Sequence, residues 1–204
     1  MHVVCCDLEG VFVPEIWINV AAKTGIEELR LTTRDISDYD VLMRKRLGIL
    51  AEKGLKLQDI QAVIATMEPL AGALEFLDWM RTVSQVIIVS DTFVQFADPL
   101  MQKLKRPTLF CNTLKIAPDG RVVDYLLRQQ DGKRKVVEGL QRMNFRVVAM
   151  GDSYNDITML QTAERGFLFR PPAKVVDEFP EFPVTTDYTE LKPLVEKALT
   201  DLQT

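Results

Sequence analysis

Residues 3–11 read Val3-Val4-Cys5-Cys6-Asp7-Leu8-Glu9-Gly10-Val11, and this stretch decides the fold. Four apolar residues in a row, too short for a helix and without alternation, describe a strand buried on both faces. The run breaks on an acid, then a second acid two residues on, then a glycine. The pattern recurs twice: residues 86–89 end in Ser90-Asp91-Thr92, and residues 147–150 end in Gly151-Asp152-Ser153-Tyr154-Asn155-Asp156.

Amphipathic stretches at 71–83, 94–104, 133–143 and 156–163 lie between and after these runs. Such alternation predicts an α/β fold with a doubly wound, mostly parallel sheet. Residues 166–169 offer a further strand, and Ala117-Pro118-Asp119-Gly120 separates two alternating segments as a hairpin turn does. About 80 residues separate the first apolar run from the second, far beyond an ordinary crossover. Residues 14–67 read as helices only, with Ser37 a cap and Gly54 a stop for the helix between them. The expected organisation is a core domain of residues 1–13 and 71–204, with a helical cap of residues 14–70 inserted after the first strand.

The chain has 204 residues, 47% of them apolar, enough for one core and a modest second lobe. Its net charge of −4, with basic residues scattered, argues against nucleic acid as a partner. No apolar run approaches the roughly 20 residues that span a bilayer, and no basic segment precedes an apolar stretch at the amino terminus. A soluble cytoplasmic protein without a membrane partner is expected. Cys5 and Cys6 should point to opposite faces of one strand, with Cys111 far along the chain, so all three read as small core residues rather than ligands or a disulfide.

In an open parallel sheet, ligands bind beyond the carboxyl ends of the strands. The acids that end the three runs should therefore meet in one crevice, where they would repel one another unless a positive centre lay between them. Mg²⁺ fits, since it takes oxygen ligands and leaves positions for water and phosphate. Lys133-Arg134-Lys135 opens a helix, where cations oppose the macrodipole and so need another purpose; Lys133 and Lys135 are rivals for reaching the crevice. Ser90, after a strand and before a helix, could cap that helix or hold phosphate oxygens there. Arg46 interrupts the apolar stripe Tyr39, Leu42, Met43, Leu47, Leu50, and a guanidinium so placed suits a carboxylate; pairing with a structural acid is the alternative. Arg44 and Lys45 point elsewhere, into solvent. Glu15, at the start of the first inserted helix, suits either the helix dipole or a substrate amine.

These motifs, in this order, resemble the haloacid dehalogenase superfamily, whose four signature segments match residues 7–11, Ser90, Lys133 and residues 151–156. The early helical insertion with Glu15 and Arg46 is similar to the phosphoserine phosphatase branch, and residues 7–17, 90–93 and 151–160 resemble bacterial members that also pass phosphate to homoserine. The resemblance implies that Asp7 is the nucleophile and Glu9 the acid and base. It implies that Asp7, the backbone carbonyl of Glu9 and Asp152 hold Mg²⁺, with Asp156 supporting them. Ser90 and Lys133 would bind phosphate with Asp91 and Asn155 nearby, while Glu15 and Arg46 would meet the amine and carboxylate of phosphoserine. Most members of the family carry Asp where Glu9 stands, and many phosphoserine phosphatases carry glycines where Asp91 and Thr92 follow Ser90. The implied activity is phosphoserine hydrolysis with transfer to homoserine. Hydrolysis of another small phosphate ester is the alternative, and a receiver-like phospho-acceptor module a more distant one, since such a module needs no cap.

Overall fold

The computed structural model describes residues 1–33, 35–36 and 38–202. β1 (His2–Cys6) is followed by α1 (Ile16–Thr24), a 3-10 turn (Glu27–Arg30), α2 (Tyr39–Glu52), α3 (Leu57–Ala65) and α4 (Ala73–Val83). The chain then re-enters the sheet as β2 (Gln85–Phe93), passes through α5 (Val94–Lys103), and folds β3 (Thr108–Ile116) back on β4 (Val122–Leu126). α6 (Gly132–Arg142), β5 (Arg146–Gly151), a 3-10 turn (Tyr154–Asp156) and α7 (Ile157–Thr162) follow. β6 (Arg165–Phe169), α8 (Ala173–Glu178), β7 (Val184–Thr185) and α9 (Tyr188–Asp201) complete it.

The strands form one seven-stranded sheet in the order β4-β3-β2-β1-β5-β6-β7. All described pairings are parallel except β3 with β4, the hairpin read at residues 117–120. β1 lies between β2 and β5, with Cys5 level with Ile87 on one side and Ala149 on the other. Because side chains alternate along a strand, Val4 and Cys6 pack with Phe76 of α4, Phe96 of α5 and Leu191 of α9, while Val3 and Cys5 pack with Val137 of α6, Met159 of α7 and Val175 of α8. Burial pushes the thiol of the core residue Cys5 up to about 12; Cys111, on β3, is only partly buried and so is not the core residue expected, its thiol pushed up to about 11.

α2 forms where the stripe predicted it, burying Leu42, Met43, Arg46, Leu47 and Leu50. Its amino end is capped by Asp38, whose carboxylate accepts from the amides of Asp40 and Val41; Ser37 lies outside the described residues. Gly54, just past the end, takes the left-handed φ of 66° that its lack of a Cβ permits. Arg44 is not simply solvated: it pairs with Asp124 of β4 at 2.8 Å and lies over the Tyr125 ring.

β2 does not stop at Val89 but continues through Ser90-Asp91-Thr92 to Phe93, with an irregular register before Phe93 meets Asn112 of β3. The residue preceding α5 is Phe93, so Ser90 does not cap that helix. Among the described residues, no helix is long and apolar enough to cross a membrane.

Candidate active site

Strand order reverses at β1, so the carboxyl ends of β1, β2 and β5 open into one crevice. Asp7 follows β1 directly, its amide donating to the Met150 carbonyl at 3.0 Å. Its Oδ1 accepts from the Leu8 amide at 2.7 Å and lies 2.9 Å from Nζ of Lys133. Its Oδ2 accepts no hydrogen bond among the described residues.

Lys133 stands in the first turn of α6, is 3% exposed, and also lies 2.6 Å from Oδ1 of Asp156. Lys135 turns away to Glu138 at 2.7 Å. Burial pulls Lys133 down, but Asp156 and Asp7 outweigh it and hold the ammonium well above its usual range. Burial and then Asp156 push Asp7 up against the pull of Lys133. Buried acids sharing one ammonium leave a deficit of positive charge.

Oxygens of Asp7, Asp152 and Asp156 lie within 4.8 Å of one another, close enough for one cation. Asp156 is already committed, giving Oδ1 to Lys133 and Oδ2 to the amides of Asp152 and Ser153, each at 3.0 Å. It therefore shapes the loop that presents Asp152. Two glycines leave room for this arrangement. A Cβ on Gly10, whose φ is +77°, would fall 2.5 Å from the Asp152 carboxyl, and one on Gly151 would fall 2.3 Å from Cγ of Asp156.

Glu9 lies one residue beyond Leu8, and its Oε2 accepts from the amide of Ile16, the first residue of α1, at 2.8 Å. Burial, then the negative charge of Glu15, raise its carboxyl to about 8. Glu15 precedes α1 but spends no side-chain hydrogen bond on capping it.

Arg46 is buried and makes no ion pair within 4 Å among the described residues, though the charges of Glu9 and Glu15 act on it. Its Nη2 donates to the Leu31 carbonyl at 2.8 Å, the guanidinium carbon lies 4.6 Å from the centre of the Trp17 ring, and Nε is buried without a partner. Burial lowers it to about 10, while Glu9, Tyr39 and Glu15 counteract this. An oriented cation with an unspent donor is what a carboxylate ligand would meet.

The Ser90 hydroxyl is buried and accepts from the Thr92 amide at 3.1 Å. Asp91 accepts on Oδ2 from Asn155 Nδ2 at 2.7 Å, and on its backbone carbonyl from the Tyr39 hydroxyl and Asn112 Nδ2, both at 3.1 Å. Asp7, Glu9, Glu15, Arg46, Ser90, Asp91, Lys133, Asp152 and Asn155 all line one cleft of about 80 Å³, with Asp156 just behind it. Trp17, Thr92 and Tyr39 line it too and were not singled out as site residues from sequence. Of these only Tyr39 carried a signal, seven residues before Arg46 on the same stripe.

The haloacid dehalogenase-like hydrolase family matches residues 16–161. The chain is 57% identical over 192 residues to the phosphoserine phosphatase ThrH of Pseudomonas aeruginosa, covering 94% of each. It is 56% identical to a phosphoserine phosphatase of Pseudomonas syringae pv. tomato, covering 97% of this chain and 84% of that one. A crystal structure of phosphoserine phosphatase in apo form shares the fold with a TM-score of 0.78 at 23% identity, over 94% of this chain and 98% of that one. With the family model spanning residues 16–161 and relatives 57% and 56% identical covering nearly its whole length, this chain belongs to the haloacid dehalogenase-like hydrolases, in their phosphoserine phosphatase branch.

Proposed function

We propose that this chain hydrolyses O-phosphoserine through an aspartyl-phosphate on Asp7 and can pass the same phosphoryl group to homoserine. The observation that carries the reading is that the Asp7–Lys133 pair, Glu15 and Arg46 all line one cleft. A zwitterion bearing a phosphate needs all four.

The residues fit a magnesium ion, because Asp7 and Asp156 share a single ammonium in a cluster whose oxygens, with those of Asp152, lie within 4.8 Å of one another, and the two glycines leave space for them. Asp7, Asp152 and the Glu9 carbonyl would hold it, and when bound it offsets charge on the phosphoryl oxygens. Residues 14–70 act as the cap, bringing Glu15 and Arg46 over the crevice.

Oδ2 of Asp7 attacks phosphorus in line, forming the Asp7–phosphorus bond as the bond to the serine oxygen breaks. Glu9, kept protonated by its buried setting, gives its proton to that oxygen. Lys133 and Ser90 hold phosphoryl oxygens, with Asn155 steadying Asp91 beside them. Serine then leaves, and Glu9 takes a proton from water or from an alcohol whose oxygen attacks phosphorus, restoring Asp7. Homoserine carries the same ammonium and carboxylate as serine and differs by one methylene, so Glu15 and Arg46 can hold it. Limited water under a closed cap lets it compete.

The test is release of phosphate from L-phosphoserine with Mg²⁺, with and without homoserine, tracking phosphohomoserine. Asp7→Asn should lower turnover by on the order of 10⁴ or more. Phosphoserine turnover that survives Asp7→Asn would sink the nucleophile assignment, and phosphate release without phosphohomoserine would leave a hydrolase alone.

A further inference from the structure

α2 presents two polar groups to the catalytic cleft from one face. Tyr39 and Arg46 are two helical turns apart, about 10.5 Å along the axis, and both line the cleft. Arg46 faces the end proposed for the substrate carboxylate. The Tyr39 hydroxyl donates to the Asp91 carbonyl at 3.1 Å. That carbonyl belongs to the Ser90-Asp91-Thr92 segment proposed to hold phosphate.

Both ends of this link are fixed. On the sheet side the same carbonyl also accepts from Asn112 Nδ2 at 3.1 Å, and Asn112 Oδ1 accepts from the Arg128 amide at 2.9 Å. On the helix side the Tyr39 ring packs edge-on against Tyr125 with centroids 5.8 Å apart, and the Tyr125 hydroxyl reaches Asp40 at 2.5 Å. Tyr39 also stands with Asp91, Lys133 and Asn155 at the boundary between the catalytic cleft and a wider one of about 640 Å³. Of the described hydrogen bonds between α2 and the motifs at the strand ends, this is the one that lies in the cleft itself.

We propose that Tyr39 is a positioning residue: through the Asp91 carbonyl it sets the distance from Arg46 to the phosphate-binding segment, and so selects esters whose carboxylate and phosphate are spaced as in phosphoserine. This rests on the phosphoserine reading. A substrate that spans both ends acts as a short ruler, and a misplacement of about 1 Å can cost up to about 10²-fold in rate. An ester without the carboxylate has no contact with Arg46 and does not sense the register.

Tyr39→Phe keeps the ring and its Tyr125 contact and removes only the hydroxyl. The experiment measures kcat/KM on L-phosphoserine and on p-nitrophenyl phosphate for the unmodified chain, Tyr39→Phe, Arg46→Ala and the double variant. The ratio of the two kcat/KM values, phosphoserine over nitrophenyl ester, should fall about tenfold in Tyr39→Phe. Tyr39→Phe should add little to the phosphoserine loss once Arg46 is gone, because both act on one substrate group. Equal proportional losses on both esters, no loss on either, or additive losses in the double variant overturn the inference while leaving the phosphatase reading intact. Absence of phosphoserine turnover by the unmodified chain removes both.

Discussion

The Nζ of Lys133 lies 2.9 Å from Oδ1 of Asp7 inside a protein interior that leaves the lysine 3% exposed. A buried ion pair is a poor source of net stability, yet removing one partner strands the other's charge. Lys133→Ala should therefore lower turnover by about 10²–10³ as the loss of one charge-stabilising group does. Lys135→Ala, which gives up only the partly exposed bond to Glu138, should change stability by no more than about 0.5 kcal/mol and leave turnover within about threefold. Steady-state kinetics with thermal unfolding on both variants checks this, and equal effects would contradict the assignment of Lys133.

Gly10 and Gly151 keep space for carboxylates, so an added methyl should displace Asp152 or Asp156. Gly10→Ala is also strained by its positive φ, whereas Gly151→Ala is not and so tests crowding alone. Gly151→Ala should raise the Mg²⁺ concentration needed for half-maximal activity by about tenfold or more, the scale seen when groups supporting metal ligands are disturbed. Chelation should abolish activity in the unmodified chain and added Mg²⁺ restore it. An unchanged Mg²⁺ requirement in Gly151→Ala would show that the acid cluster tolerates the methyl and is not the metal cradle.

Much of this arrangement was legible because its signals are local. Val3 to Cys6 announces a strand buried on both faces, and Asp7 behind it must then sit at the carboxyl end of the sheet. Arg46 stood out because its stripe is otherwise apolar. Ser90-Asp91-Thr92 misled because three polar residues read as a turn, while in the fold tertiary hydrogen bonds from Asn112 and pairing of Phe93 draw the strand onward. The Tyr39 hydroxyl was equally hidden: its acceptor lies 52 residues away and is a backbone carbonyl, which leaves no mark in side-chain patterning. The amine and carboxylate readings of Glu15 and Arg46 were open in the residues alone, since a glutamate at a helix start and an arginine in a stripe each have ordinary uses, and the resemblance chose between them. What distinguishes Arg46 is its unpaired Nε beneath a cleft.

Arg46 is held in one orientation by the Leu31 carbonyl and the face of Trp17. Arg46→Ala should raise KM for phosphoserine with a loss of about 10- to 100-fold in kcat/KM, the scale of one charged hydrogen-bonding group. Arg46→Lys should recover little, because an ammonium lacks the planar fork and the ring stacking. Parallel assays on phosphoethanolamine, which has the amine but no carboxylate, should show almost no dependence on residue 46. A similar loss there would mean that Arg46 supports the cap rather than the substrate.

Glu9 offers the sharpest separation of the two half-reactions. Its carboxyl, raised to about 8 by burial and by Glu15, is positioned by the Ile16 amide at the threshold of α1. A proton donor matters when the leaving oxygen is a poor leaving group, as in serine, and matters little for nitrophenolate. A base is needed in the second step whichever ester supplied the phosphate. Glu9→Gln should therefore lower steady turnover by about 10²–10⁴ on phosphoserine. On p-nitrophenyl phosphate it should instead release close to one equivalent of nitrophenolate in a burst and then stall, with phosphate retained on the protein. Rapid-mix absorbance with intact-mass detection of the phosphorylated chain reads this directly. A steady nitrophenolate rate without a burst would mean that phosphoenzyme breakdown does not depend on Glu9, and the base would have to be sought elsewhere in the cleft.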